Sequence, residues 1–216
     1  MSRDLSKEFS LINHFVAELR DVNVQNDRLR FRRNLERIGE VLALEISKNM
    51  DYQEREITTP LGIARPNLLK QQPVIVSILR AGLPMHQGLL NYFDMAGNSF
   101  VSAYRKGHAK GGPIEVEIEY LASPSLEGET VILCDPMLAT GTSLVLAYEA
   151  LLEKGTPKKV IVACAIASMQ GVRTVEKHLP EGTDIICGAI DDELNDMSYI
   201  IPGLGDAGDL AYGPKS

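Results

Sequence analysis

The chain is poor in cysteine and has no extended basic block. Its three cysteines, Cys134, Cys164 and Cys187, lie far apart with no CxxC spacing, each in or beside an apolar run. That argues against a thiolate metal site and for three reduced, buried thiols in a cytoplasmic protein. No basic block offsets an excess of 29 acidic over 22 basic residues, a net charge of −7. Nucleic acid is therefore disfavoured as the main partner, while a small phosphorylated ligand held by a few Arg side chains is not. The opening "MSRDLSKEF" lacks the apolar core of a signal peptide, and no apolar stretch approaches membrane-spanning length. Internal repeats and low-complexity linkers are missing as well. So are two nucleotide loops, the Walker loop with its Lys and the GxGxxG turn after a first strand. No Ser-His-Asp or Cys-His set is evident.

What is present fits one domain over residues 1–216. Leu35, Ile38, Leu42 and Ile46 recur at helical spacing between Asn26 and Asn49, with Asn26 or Asp27 as N-cap. The Arg cluster of that segment (Arg28, Arg30, Arg32, Arg33) reads as a solvated face or a subunit contact. "REITTPLG" reads as a short strand closed by Pro60 and Gly62. Beyond it come five short, nearly continuous apolar runs, at 73–79, 99–104, 130–134, 159–167 and 183–190. Such runs suit strands buried on both faces. Helical segments at 84–93, 142–154 and 170–178 separate several of them, so the fold class is α/β with a mostly parallel, doubly wound sheet. Residues 107–128 alternate apolar and acidic side chains after a Gly-rich start, which predicts a projecting β-arm. The Gly-rich tail, "YIIPGLGDAGDLAYGPKS", reads as neither helix nor core strand, and its length and two acids suggest function.

Three strand ends carry chemistry. "VILCDPMLATGTS" delivers Asp135 at a strand's carboxyl end and passes into a small, hydroxylated loop ahead of a helix. A helix start offers unpaired N–H groups and a positive dipole end, to which Thr140, Thr142 and Ser143 add hydroxyls and Gly141 adds close approach. That is a phosphate cradle beside an acid placed for a sugar's vicinal hydroxyls. "SILRAGLPM" ends a strand on Arg80 and "AYRKG" ends one on Arg105. One such Arg is ordinarily a salt-bridge partner, but two at parallel strand ends suit a multiply phosphorylated substrate. The tail exposes backbone groups that can read a flat heterocycle, with Asp206 beside them as a hard oxygen donor for Mg²⁺.

"CDPMLATGTS", "ILRAGL" and "YIIPGLGDAGD" together resemble the signatures of the uracil phosphoribosyltransferases, a subfamily of the type I phosphoribosyltransferases. The resemblance implies that fold, with a small hood formed by the terminal segments (about 1–55 and the tail 191–216). It implies transfer of the 5-phosphoribosyl group from phosphoribosyl diphosphate (PRPP) to N1 of uracil. Carried over by position, PRPP would contact Asp135, Pro136, Met137, Leu138, Ala139, Thr140, Gly141, Thr142 and Ser143. Arg80 and Arg105 would hold the diphosphate. Ile200, Gly205, Asp206 and Ala207 would read uracil, and Asp206 would stand near Mg²⁺, through water, with PRPP oxygens. Arg80, Arg105 and Asp206 would carry catalysis, and His108 would be an exposed loop residue. A homodimer or higher homo-oligomer is expected from the arm and the amphipathic helix, and GTP is the effector class the resemblance raises.

Four positions depart from the family pattern. Thr142 replaces a second Gly, and Ser77 replaces a Pro. "YRKGHAKGG" lacks a Pro-Glu-Thr segment, and Leu210-Ala211 lacks a basic residue. Two rival readings are weaker: a non-catalytic PRPP or nucleotide sensor, which the acid balance disfavours, and a purine enzyme, which would carry a two-acid motif.

Overall fold

The five apolar runs become the central strands of one sheet in the computed structural model, which describes residues 2–105 and 116–214. In chain order the elements begin with β1 (Ser2–Asp4), α1 (Ile12–Arg20) and α2 (Arg28–Ser47). Asp27 is the N-cap of α2, its Oδ1 accepting from the N–H groups of Leu29 and Arg30 at 3.0 and 3.1 Å. Four short strands follow, β2 (Tyr52–Glu54), β3 (Ile57–Thr59), β4 (Gly62–Ala64) and β5 (Asn67–Leu69). The α/β alternation then runs β6 (Val74–Leu79), α3 (Leu83–Leu90), β7 (Gly97–Arg105), β8 (Val116–Ala122), β9 (Thr130–Cys134) and β10 (Met137–Leu138). It continues with α4 (Thr142–Leu151), β11 (Lys159–Ser168), α5 (Met169–His178) and β12 (Asp184–Asp191). The tail holds β13 (Glu193–Leu194), β14 (Ile200–Ile201) and α6 (Ala207–Tyr212).

The main sheet has the order β1-β12-β11-β9-β6-β7-β8, with β10 added on β11. Every pairing in it is parallel except β7 with β8. Successive residues of each central strand point to opposite faces and feed two separate cores. Ile75, Ile132, Ile161 and Ala163 pack with α1, α2, α3 and α6, while Val76, Leu133, Val160 and Val162 pack with α4 and α5. Cys134 falls in the first core and Cys164 and Cys187 in the second; all three are free and buried.

The described part of 107–128 is β8, an edge strand of the main sheet that forms an antiparallel hairpin with β7. Residues 106–115, His108 among them, lie outside the described residues. A second antiparallel hairpin is built by 52–69, where β2 pairs β5 and β3 pairs β4 around the Pro60 turn. One expectation needs correction, that for the tail. The tail does form a helix, α6, because Ala207 and Ala211 bury against the first core and Asp206 caps it by accepting the N–H of Asp209 at 2.9 Å. The N-terminal segment also supplies β1, whose Ser2, Arg3 and Asp4 pair with Ile185, Ile186 and Cys187 at the sheet's other edge.

Candidate active site

The sheet order reverses between β6 and β9. From β6 the chain moves to β7 on one side, and from β9 it moves to β11 on the other. The crevice above the carboxyl ends of these two strands is the switch point where doubly wound folds bind ligands. Arg80 directly follows β6 and Asp135 directly follows β9, with Ser77 opposite Cys134 in the register between them. The two residues singled out from sequence thus flank the switch point.

A cavity of about 340 Å³ opens there, lined by Arg80, Asp135, Met137, Ala139, Ser143 and, across it, Met197–Tyr199 and Gly205–Gly208. A smaller one of about 60 Å³ adjoins it, sharing Asp135, Met137, Ala139 and Ser143 and adding Leu138, Thr140 and Gly141. The cradle, the strand-end Arg and the tail therefore meet at one rim. Pro136, Thr142 and Ile200 stand outside both linings. Pro136 is buried, its carbonyl accepting from Ile166 N–H at 2.9 Å, and Ile200 is buried opposite Leu194. Thr142 is exposed in the first turn of α4, its hydroxyl 3.1 Å from that of Thr140. Arg105 ends β7 with its backbone paired to Val116; its side chain lies outside the description.

The cradle is braced from behind by residues the sequence reading passed over. The Ser168 hydroxyl donates to the Ala139 carbonyl at 2.6 Å while accepting the Gly171 N–H at 2.8 Å, which locks the start of α5 under the loop. Gly141 adopts φ +82, a conformation that costs other residues dearly. The loop then runs into the N-terminus of α4, whose dipole and open N–H groups favour an anion.

Arg80 is tied to the tail. Its Nη2 donates to the Gly213 carbonyl at 3.3 Å and lies 3.7 Å from Asp209 Oδ1. Its Nε is buried with no hydrogen-bond partner among the described residues. An orphaned guanidinium donor at a cavity wall is chemically suited to an anionic oxygen. Burial, reinforced by Asp135, pushes the Cys134 thiol well above its ordinary range, so it is no nucleophile at neutral pH.

Met197, Ser198 and Tyr199 are cavity residues that sequence reasoning missed. Asn195 builds their turn, its Oδ1 accepting from the N–H groups of Met197 and Tyr199 at 3.0 and 2.9 Å, with Ser198 at φ +63. The Asn-Asp pair at 195–196 was the available signal. Among the described residues no three His, Cys, Asp or Glu side chains cluster as a metal cage. Asp135 and Asp206 line the same cavity, a donor set that fits Mg²⁺ arriving on phosphate oxygens rather than a resident ion. A shallower depression of about 630 Å³ lies over α5, lined by Gln170, Arg173, Lys177, His178 and Asp192, and contains none of the residues singled out from sequence.

The family model described as uracil phosphoribosyltransferase matches residues 6–214. A uracil phosphoribosyltransferase of Porphyromonas gingivalis is 55% identical over 98% of this chain and 97% of its own length. One from Thermococcus gammatolerans is 38% identical over 94% of this chain and 89% of its own. Among solved structures, the protein AQ2163 from Aquifex aeolicus superposes with a TM-score of 0.87 at 35% identity, covering 99% of this chain and 98% of that one. The orotate phosphoribosyltransferase of Mycobacterium tuberculosis in complex with PRPP shares the fold at a TM-score of 0.52 and 15% identity, over 87% of this chain and 95% of its own.

Proposed function

The chain belongs to the uracil phosphoribosyltransferase family, and from that premise we propose how its residues divide the transfer of a 5-phosphoribosyl group from PRPP to uracil. The products are UMP and diphosphate. One observation carries the assignment: Arg80, Asp135, Ser143 and Gly205–Gly208 border one cavity at the switch point of the sheet. In this reading the loop Ala139–Ser143 holds the 5′-phosphate and Asp135 accepts hydrogen bonds from the ribose hydroxyls. Arg80, with Arg105, takes the diphosphate, and the orphaned Arg80 Nε supports an anion there.

Uracil N1 attacks C1 of the ribose while the C1–O bond to diphosphate breaks, with inversion, and the N1 proton is released to the departing diphosphate or to water. The electron pair of that bond leaves on diphosphate, so catalysis rests on stabilising the departing charge. Asp206 and Asp135 are the carboxylates that would hold the water shell of a Mg²⁺ ion bound with PRPP, which would supply part of that neutralisation. Holding both reactants in line contributes the rest, worth roughly 7–11 kcal/mol in the best intramolecular systems.

The tail reads the base through main-chain groups at Gly205, Asp206 and Ala207, while Ile200, outside the cavity lining, anchors the segment through its pairing with Leu194. A backbone N–H facing uracil O4 would oppose the amino group of cytosine, and mismatched polar sites reject a partner by up to about 10⁴–10⁵-fold. The three buried thiols support a cytoplasmic setting, and no described helix is long and apolar enough to cross a membrane. The exposed apolar residues of the 52–69 hairpin, among them Leu61 and Ile63, support a homo-oligomer. Diphosphate release from PRPP, measured with each base in turn and with and without Mg²⁺, tests the assignment. Uracil-dependent, Mg²⁺-dependent release is expected, and cytosine turnover within about tenfold of uracil would contradict it.

A further inference from the structure

The tail segment at the base end of the cavity is gripped from the opposite terminus of the chain. Arg20, the last residue of α1, donates from Nη1 and Nη2 to the two carboxylate oxygens of Asp191 at 2.7 and 2.8 Å. The same Nη1 reaches the Gly203 carbonyl at 3.1 Å, and the Gly203 N–H returns to Asp191 Oδ2 at 3.1 Å. Both main-chain polar groups of one residue are therefore held by one ion pair. Gly203 sits at φ +57 and is buried, two residues ahead of Gly205, the first of the Gly205–Gly208 stretch that lines the cavity.

Neither anchor is free to wander. Asp191 ends β12, opposite Ser168 of β11 in the sheet register. Arg20 is fixed by α1, whose Ile12, Val16 and Leu19 are buried in the first core. The side chains are 20% and 9% exposed, so the bidentate pair is largely shielded, and charge-assisted forks of this kind add geometric precision as well as energy. Neither residue lines the cavity.

We propose that Arg20 and Asp191 are positioning residues for the base site, fixing the turn from which Gly205–Gly208 leave and so setting the affinity for the pyrimidine more strongly than that for PRPP, most of whose contacts lie on other elements. The proposal rests on the reading that Gly205–Gly208 contact uracil. It gives the N-terminal helix a part in substrate selection, which a purely structural role would not.

Steady-state kinetics with uracil and PRPP varied separately test it, on variants whose folding is checked by near-UV circular dichroism. Arg20→Gln is expected to raise KM for uracil roughly tenfold or more, with KM for PRPP changed by less than about threefold. Asp191→Asn should act alike, and the double variant should be no worse than the poorer single one, since all four bonds belong to one unit. Arg20→Lys keeps the charge but not the fork; it should fall between, and it carries the test should Arg20→Gln fail to fold. An unchanged KM for uracil in the folded variants, or an equal rise in both constants, overturns the proposal. Gly205→Val separates the two possible failures. If it leaves KM for uracil unchanged, the base-site reading falls and this proposal with it. If it raises KM while the Arg20 variants do not, this proposal alone falls.

Discussion

Gly141 and Gly171 meet backbone to backbone beneath the cradle: a Cβ on Gly141 would stand 3.0 Å from the Gly171 carbonyl oxygen, and one on Gly171 would stand 2.6 Å from that of Leu138. With φ at +82 as well, Gly141 has neither the space nor the conformation for a side chain. Gly141→Ala is expected to distort the loop at a cost of about 1–2 kcal/mol and to raise KM for PRPP while sparing KM for uracil. Kinetics with each substrate varied separately check this.

Arg80 offers a different signature. It is about 39% exposed and contributes little to the core, so Arg80→Gln should leave the melting temperature nearly unchanged. Loss of one charge-stabilising donor from the leaving-group site should lower kcat/KM about 10²–10³-fold. Thermal melts beside steady-state kinetics check both halves.

The strands and the place of loop 139–143 at the sheet's rim were legible because their signals are local. β9 occupies 130–134 as read, since an unbroken apolar run between polar flanks has few alternatives. Arg80 and Asp135 were legible for the same reason, each ending such a run. The rest was carried by contacts far apart in sequence. β1 is "SRD", with no apolar pattern of its own, and is a strand because β12 offers it an open edge. α6 overrides its Gly content through the burial of Ala207 and Ala211. Ser168 and Arg20 act on residues 29 and 183 positions away, which no window of sequence displays. In 107–128 a strand was read correctly but its facing was not: a bulge between Ile118 and Tyr120 leaves Tyr120 exposed and packs Leu121 against the second core, and no alternation in sequence marks such a register shift.

His86 predicts a pH dependence of stability. Burial lowers its pKa, and the bond to Asn98 opposes that. The Asn98 amide nitrogen donates to Ala96 at 3.1 Å, so its Oδ1 faces His86 Nε2 at 2.8 Å and that nitrogen carries the proton. With the folded pKa below the unfolded value, the unfolded chain binds more protons in the window between them, so stability falls as pH drops through it. It is fully present above the unfolded value. Urea midpoints taken from about pH 7.5 to about pH 5 should fall further for the wild type than for His86→Gln. Glu18, held down to about 2 by hydrogen bonds from Arg30 and Asn34, titrates below this range. Parallel declines would contradict the assignment.

The α2–α3 crossing depends on glycine. A Cβ on Gly88 would collide with the Glu36 carbonyl oxygen and stand 2.9 Å from the Glu40 nitrogen, both backbone atoms that cannot swing away. Gly88→Ala should therefore destabilise by about 1–3 kcal/mol, despite alanine's better helix propensity. A lowered urea midpoint at unchanged slope is the expected reading.

The central claim is that loop 139–143, Asp135 and the tail at 205–208 serve a single nucleotide. Crystals grown with UMP, diphosphate and Mg²⁺ test it most directly. Density is expected for the phosphate over Ala139–Ser143, for the ribose at Asp135, and for the uracil ring within hydrogen-bonding reach of the main chain at Gly205–Ala207. A nucleotide seated in the depression over α5, or one whose base turns away from the tail, would contradict it.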